Sequence, residues 1–225
     1  MSSDTIAEIT KSNNRKFLYH FTRARNLPAI VHFDALFSSN HIYPQNAGKR
    51  RLALKEINYM GYLMVMNSHL RIPDSMIDPA YTQEQFRACL DRHVFFWPTW
   101  KDCQKMIDTY KKREPDGQFV ILVCDAYSLL LAHAGRVKLS KYDSGSAPRF
   151  PKHCTYRKSP HLFLPLEDFK KRLHKQVPVT ASEIKEVLVE SQVFNLSAYI
   201  RAVYTGDLTF IPECWGHLTK PLPVT

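Results

Sequence analysis

Apolar residues fall in two rhythms along this chain. Dense short runs bounded by charged or turn-forming residues mark strands at 17–21, 93–97, 118–124 (QFVILVC), 137–139, 184–189 and 199–204. Three-to-four spacing marks helices. Asn26 stands as a cap before a helix with Pro28 in its first turn and Leu27, Ile30 and Val31 on its face. Further helices are predicted over 52–66, which carries a Met-rich face, over 84–91 and 100–112, from an Asp125 cap through 134, and over 166–173.

Strands and helices interleave irregularly, and neither GxGxxG nor GxxxxGK[ST] joins a strand to a helix. A doubly wound nucleotide fold is therefore disfavoured, and the expectation is α+β with a compact, mostly antiparallel split sheet. With 225 residues, 44% of them apolar, the chain is read as a single domain over 1–225, with 1–14 a flexible lead-in. Dispersed prolines and few glycines exclude a low-complexity linker. No apolar run approaches the roughly 18 residues of a membrane span, and no signal-peptide core is present, so no membrane partner is expected. Cysteines at 89, 103, 124, 154 and 214 are odd in number and form no CxxC, which fits reduced thiols and a cytoplasmic location.

Charge changes the picture. The net charge is +10, and residues 136–176 hold 11 Lys/Arg against 3 acids. Interleaved with that charge are Tyr142, Phe150, Tyr156 and Phe163, the combination a single-strand binder uses for phosphate contact and base stacking. Arg149, Lys152, Arg157 and Lys158 are the candidate nucleic-acid contacts. A second basic cluster is Lys49, Arg50 and Arg51.

Candidate chemistry begins in the first strand. Strand alternation sends His20 and Thr22 to one face, Tyr19 and Phe21 to the other, and the strand runs directly into a helix N-terminus suited to an anion. Glu186, inside IKEVLV with Ile184 and Leu188 on its own face, is a carboxylate among apolar residues, costly unless paired or functional.

The run YHFTRARNLPAIVHFDALFSS, residues 19–39, resembles the opening strand–helix motif of DarT-like ADP-ribosyltransferases and their bacterial relatives. HVFFW at 93–97, DSGS at 143–146 and KEVLV at 185–189 are similar to patterns of the same group, in the same order. The family's first helix leads to a glycine where this chain has Asp34-Ala35-Leu36. The resemblance implies an ADP-ribosyltransferase-like split β-sheet core with surrounding helices, NAD as co-substrate in the cleft between two small sheets, and no metal. Glu186 would be the catalytic carboxylate, orienting the ribose 2′-hydroxyl and stabilising the oxocarbenium-like transition state. His20 would bond the nicotinamide ribose, and Thr22 and Asn26 would seat the cofactor. Arg51, or its neighbour Arg50, would pair with the pyrophosphate or steady the catalytic centre. Trp97, with Phe95, would wall the nicotinamide, and the 143–146 turn, followed by Arg149, would lie near the acceptor.

With the basic segment, the resemblance implies a base in single-stranded nucleic acid as acceptor, RNA slightly before DNA, and a toxin-like enzyme of toxin–antitoxin or phage-defence type with a neutralising antitoxin partner. The alternatives are a protein-directed transferase and a non-catalytic nucleic-acid-binding module. A zinc site built from Cys214, His217, His153, Cys154 or His161 lacks a second close ligand pair.

Overall fold

The computed structural model describes residues 2–148, 150–172 and 174–223. In chain order its helices and strands are α1 (Ser2–Ile9), β1 (Phe17–Arg23), α2 (Leu27–Phe33), β2 (Ala35–Phe37), α3 (Ser39–Ile42), β3 (Lys55–Tyr59), β4 (Tyr62–Met66), α4 (Gln83–Asp91), β5 (His93–Phe96), α5 (Trp100–Arg113), β6 (Phe119–Asp125), α6 (Ala126–Ala132), β7 (Val137–Ser140), β8 (Phe163–Pro165), β9 (Glu186–Glu190), β10 (Gln192–Phe194), α7 (Leu196–Tyr199), β11 (Ile200–Thr205) and β12 (Thr219–Pro221). The architecture is α+β.

Two four-stranded sheets organise it. One runs β1-β6-β11-β12, the other β5-β9-β7-β8. The first is antiparallel except for the β11–β12 pair, and the second is antiparallel throughout. The apolar run of β6 is central in its sheet and buried on both faces, which is why it reads as continuous rather than alternating. Asp125 ends that strand and caps α6 by accepting from the Ser128 N–H at 2.9 Å, as its position in the sequence implies.

The sheets meet where β1 passes the end of β5. Tyr19 and Trp97 exchange two backbone hydrogen bonds of 2.9 Å, so the first sheet is pinned to the second beside His20. Around this junction Phe21, Trp97, Cys103, Ile107, Tyr110, Phe119 and Ile121 form a small aromatic-rich core.

Four expectations are corrected. Residues 52–66 form the β3–β4 hairpin, not a helix. Met60 and Gly61 both adopt positive φ (50° and 89°), the geometry of a two-residue turn whose twist matches that of the strands it joins. Within the expected flexible lead-in, Ser2–Ile9 is helical instead and sinks Ile6 and Ile9 into the main core. The helix expected over 166–173 is reduced to one 3-10 turn, Leu166–Asp168, and Lys170 then takes a positive φ that breaks any continuation. Asn26 does not cap α2. Its side chain accepts from the Val65 N–H at 2.7 Å and donates to the Val65 carbonyl at 3.1 Å, so it clasps the hairpin to the β1–α2 turn.

The departure at Asp34 is accommodated locally. Asp34 adopts the left-handed conformation (φ 47°) that ends a helix and that glycine adopts without strain. Its carboxylate offsets the strain by accepting from the Ser197 N–H and hydroxyl at 2.7 and 2.9 Å.

Candidate functional site

A cavity of about 240 Å³ opens beside the junction of the two sheets, lined by residues of β1, α2, β4, β5 and the start of β9. His20, Thr22, Asn26, Arg51, Trp97 and Glu186 all line it. The structure therefore brings together residues far apart in sequence.

His20 projects from β1 and bonds the Phe95 carbonyl through Nδ1 at 2.8 Å, with its ring against Phe96. Burial pushes its pKa down to about 4, so the ring is neutral near pH 7. Because a carbonyl only accepts, Nδ1 carries the proton, and Nε2 is left as an acceptor. Thr22 is buried two residues on, its hydroxyl 3.4 Å from the Asn26 amide.

Of the two neighbouring arginines, Arg51 is the one turned inward. Its guanidinium donates to Asp91 at 2.9 Å, to the Asn67 carbonyl at 3.1 Å and, more weakly, to the Ser39 hydroxyl at 3.4 Å. Asp91 also accepts from His69 at 3.3 Å and from the Gly48 N–H at 3.0 Å. The Arg51 N–H donates to His69 Nδ1 at 3.0 Å, which sets the tautomer that leaves Nε2–H for Asp91. Burial pushes the Asp91 carboxyl up, but His69, Arg51 and the Gly48 amide together hold it below the ordinary carboxylate range. Gly48 is required here. Its φ is +76°, and a Cβ would come within 2.5 Å of the Glu84 carbonyl oxygen. Arg50 is exposed and lines an adjoining recess instead of the cavity.

Glu186 opens β9, an inner strand paired on both sides over most of its length, and its side chain is 1% exposed. A solvent-facing edge charge is thereby excluded. One carboxylate oxygen accepts from the Ser144 N–H at 3.1 Å and from the Ser144 hydroxyl at 2.5 Å. The 143–144 turn is itself fixed from behind, where the Lys158 ammonium donates to the carbonyls of Asp143 (2.5 Å) and Ser144 (3.0 Å). Burial, then the nearby Asp143 charge, holds the Glu186 carboxyl well above its usual range, against the opposing pull of Ser144 and Lys158. Burial likewise lowers the pKa of Lys158.

Lys158 was expected to contact nucleic acid. It is instead fully buried, because the two carbonyls of the 143–144 turn supply the acceptors its ammonium needs away from water. Other members of the basic segment are also engaged. Lys138 pairs with Glu190 at 3.3 Å, Lys141 with Glu183 at 2.8 Å, Arg172 with Asp168 at 3.1 Å, and Lys170 with Glu8. Tyr142 and Tyr156 stack on each other, centroids 3.7 Å apart, and Phe163 is core, whereas Phe150 is exposed. Arg157 is exposed; Arg149 and the side chain of Lys152 lie outside the described residues.

Sequence reasoning missed Asp91, His69 and Asn67. One signal was present. Asp91 is the last residue of α4, where the helix dipole disfavours a carboxylate, so an acid there calls for a partner. Among the described residues no group of three or more His, Cys, Asp or Glu side chains is placed to hold a metal ion.

The chain is similar to solved structures of DarT from Thermus sp. 2.9. With the complex with carba-NAD+ it shares 14% identity over 88% of this chain and 86% of that one, with a TM-score of 0.42. With the complex with ADP-ribosylated ssDNA it shares 13% identity over 87% and 84%, with a TM-score of 0.40. No curated protein matches the chain. Its residues 16–200, most of its length, match the model of a family of unknown function, DUF7002, and the chain belongs to that family.

Proposed function

We propose that the protein is a mono-ADP-ribosyltransferase that moves ADP-ribose from NAD to a base in single-stranded nucleic acid. The observation that carries this reading is the convergence, on one cavity, of a neutral histidine with an open acceptor, a guanidinium fixed by a buried carboxylate, and the buried carboxylate of Glu186.

Each group then has a task. His20 Nε2 accepts a hydrogen bond from a hydroxyl of the nicotinamide ribose. Arg51, held by Asp91, steadies the anionic part of the dinucleotide while Trp97 bounds the nicotinamide. The bond between C1′ and the nicotinamide nitrogen breaks with its electron pair leaving on nicotinamide, and positive charge develops on the ribose. Glu186 stabilises that charge and accepts from the 2′-hydroxyl. The positive nicotinamide ring of the arriving substrate favours the ionised carboxylate, opposing the effect of burial. A nucleophilic atom of the acceptor base then bonds to C1′ and gives up its proton, for which Glu186 is the adjacent base. An unpaired strand is the cheaper acceptor, since a base in a duplex must first be unstacked.

The test is incubation of the purified protein with NAD labelled in the ADP-ribose moiety, and separately with single-stranded RNA, single-stranded DNA and cell protein, each beside Glu186→Gln. Label moving to RNA or DNA only with the unsubstituted protein is the expected result. Label on protein would keep the enzyme and replace the acceptor, and no label in any arm would overturn the reading.

A further inference from the structure

Beyond the cavity, two further recesses share a wall of arginines. One, of about 350 Å³, is lined by Arg50, Arg71 and Arg87 with a single acid, Asp74. The other, of about 430 Å³, is lined by Arg50, Arg71 and Arg113 with no acid at all. They have Arg50, His69, Leu70 and Arg71 in common, so they form one surface depression. Burial, then the charge of Arg50, lowers the Arg87 pKa, against the opposing pull of Glu84, Asp91 and Asp74. Arg50 and Arg71 are exposed, and neither forms an ion pair with a described residue.

The depression adjoins the main cavity, the first recess sharing His69, Leu70, Leu90 and Gly145 with it. Its second recess meets, at Leu70 and Ser146, a smaller hollow that is lined by Trp97, Tyr142 and Glu186. Leu70 and His69 also line the main cavity. A ligand in the arginine depression therefore passes the 143–147 loop and can present a neighbouring group to the carboxylate.

We propose that this depression, walled by Arg50 and Arg71 and bordered by the 143–147 loop, binds backbone phosphates of the acceptor strand and so positions nucleic acid. The inference rests on the transferase reading and adds the location of the strand to it. Guanidinium forks suit phosphodiester oxygens, and a run of cations beside the cavity fits a polymer carrying one phosphate per nucleotide. A pyrophosphate held with its nicotinamide at Trp97 has Arg51 within the main cavity.

The experiment compares the unsubstituted protein with Arg50→Gln/Arg71→Gln and with the charge-retaining Arg50→Lys/Arg71→Lys. Anisotropy measures binding of labelled single-stranded DNA and RNA oligonucleotides across a salt series, and calorimetry measures NAD binding. The expected result is at least a tenfold loss of oligonucleotide affinity in the Gln variant and a salt slope shallower by about 1.4, as two lost phosphate contacts require. NAD affinity should stay within about twofold, and the Lys variant should recover most of the loss. A loss of NAD affinity with oligonucleotide binding unchanged would assign the depression to the dinucleotide and overturn the proposal, as would unchanged binding of both. Tight NAD binding without any strand binding would also overturn it while leaving the NAD chemistry standing. Absence of NAD binding by the unsubstituted protein would instead strike the transferase reading, and the oligonucleotide arm would still report on the depression.

Discussion

The cavity and the basic segment 136–176 hold their charge in opposite ways. In the cavity few charged groups are present, yet each is fixed by several bonds: Arg51 by Asp91, Asn67 and Ser39, and Glu186 by Ser144. In the basic segment charges are many, but Lys138, Lys141, Lys170 and Arg172 are spent on ion pairs and Lys158 is buried. A tally of residues measures how much charge a segment carries, not how much it can offer. A buried group bonded on one side and open on the other is preorganised for a ligand, whereas a surface pair is worth little and is screened.

The sharpest way to break this comparison is at Glu186. Glu186→Gln keeps the shape and the hydrogen bond from Ser144 but removes the charge, and should lower the transfer rate by about a thousandfold or more while NAD still binds. Single-turnover transfer and calorimetric NAD binding check it. The next largest effect belongs to Lys158, a positioning residue that reaches the reaction only through the 143–144 turn. Lys158→Met leaves two buried carbonyls without their donor and should lower kcat by about tenfold to a hundredfold and the thermal midpoint with it. A merely structural role would leave the pH profile in place. Here kcat/KM requires the Glu186 carboxylate of the free enzyme, whose pKa burial pushes up to about 8, so kcat/KM rises as pH increases through that region. Removing the Lys158 charge, which opposes the shift, should move the rise to higher pH. His20, with its pKa near 4, should add no inflection around neutrality.

The cavity was legible in part because its polar residues break apolar patterns. His20 and Thr22 interrupt β1, and Glu186 interrupts IKEVLV, so each stood out where packing alone would have placed a hydrophobe. Arg51 could be narrowed only to a pair, because adjacent residues in a loop have no periodicity to orient them. The β3–β4 hairpin was misread because its Met-rich face mimics helical spacing, while the turn depends on Met60 taking a positive φ that its side chain does not advertise. Lys158 was misread for a different reason. Burial of a lysine depends on acceptors contributed by the 143–144 turn, a tertiary fact with no local trace in the sequence.

Asp91 tests the other wall of the cavity. Asp91→Asn should keep the packing at the end of α4 but give Arg51 and His69 a neutral partner in place of a charged one. The expected outcome is a KM for NAD raised by about tenfold with kcat changed less, since Arg51 is assigned to holding the dinucleotide and not to the bond that breaks. Steady-state kinetics with varied NAD check it, and a loss confined to kcat would move Arg51 into the catalytic step.

The smallest effect is expected where the sequence carries most charge. Lys171 and Lys175 are exposed and lie in the stretch that packs toward α1 through the Lys170–Glu8 pair. Reversing both, Lys171→Glu and Lys175→Glu, changes the net charge by 4, from +10 to +6. At about 0.15 M salt the field of such exposed groups decays over roughly 8 Å, so charge remote from the strand should scarcely reach it. Oligonucleotide affinity should therefore fall by less than about twofold at that ionic strength, and by more at about 0.01 M, where the screening length grows to roughly 30 Å. Neutralising Arg50 and Arg71 removes only 2 charges yet should cost tenfold or more, because those groups are placed against the phosphates. If reversal at Lys171 and Lys175 matched that loss at about 0.15 M salt, net charge rather than placed charge would govern binding, and the contrast between the two regions would fail.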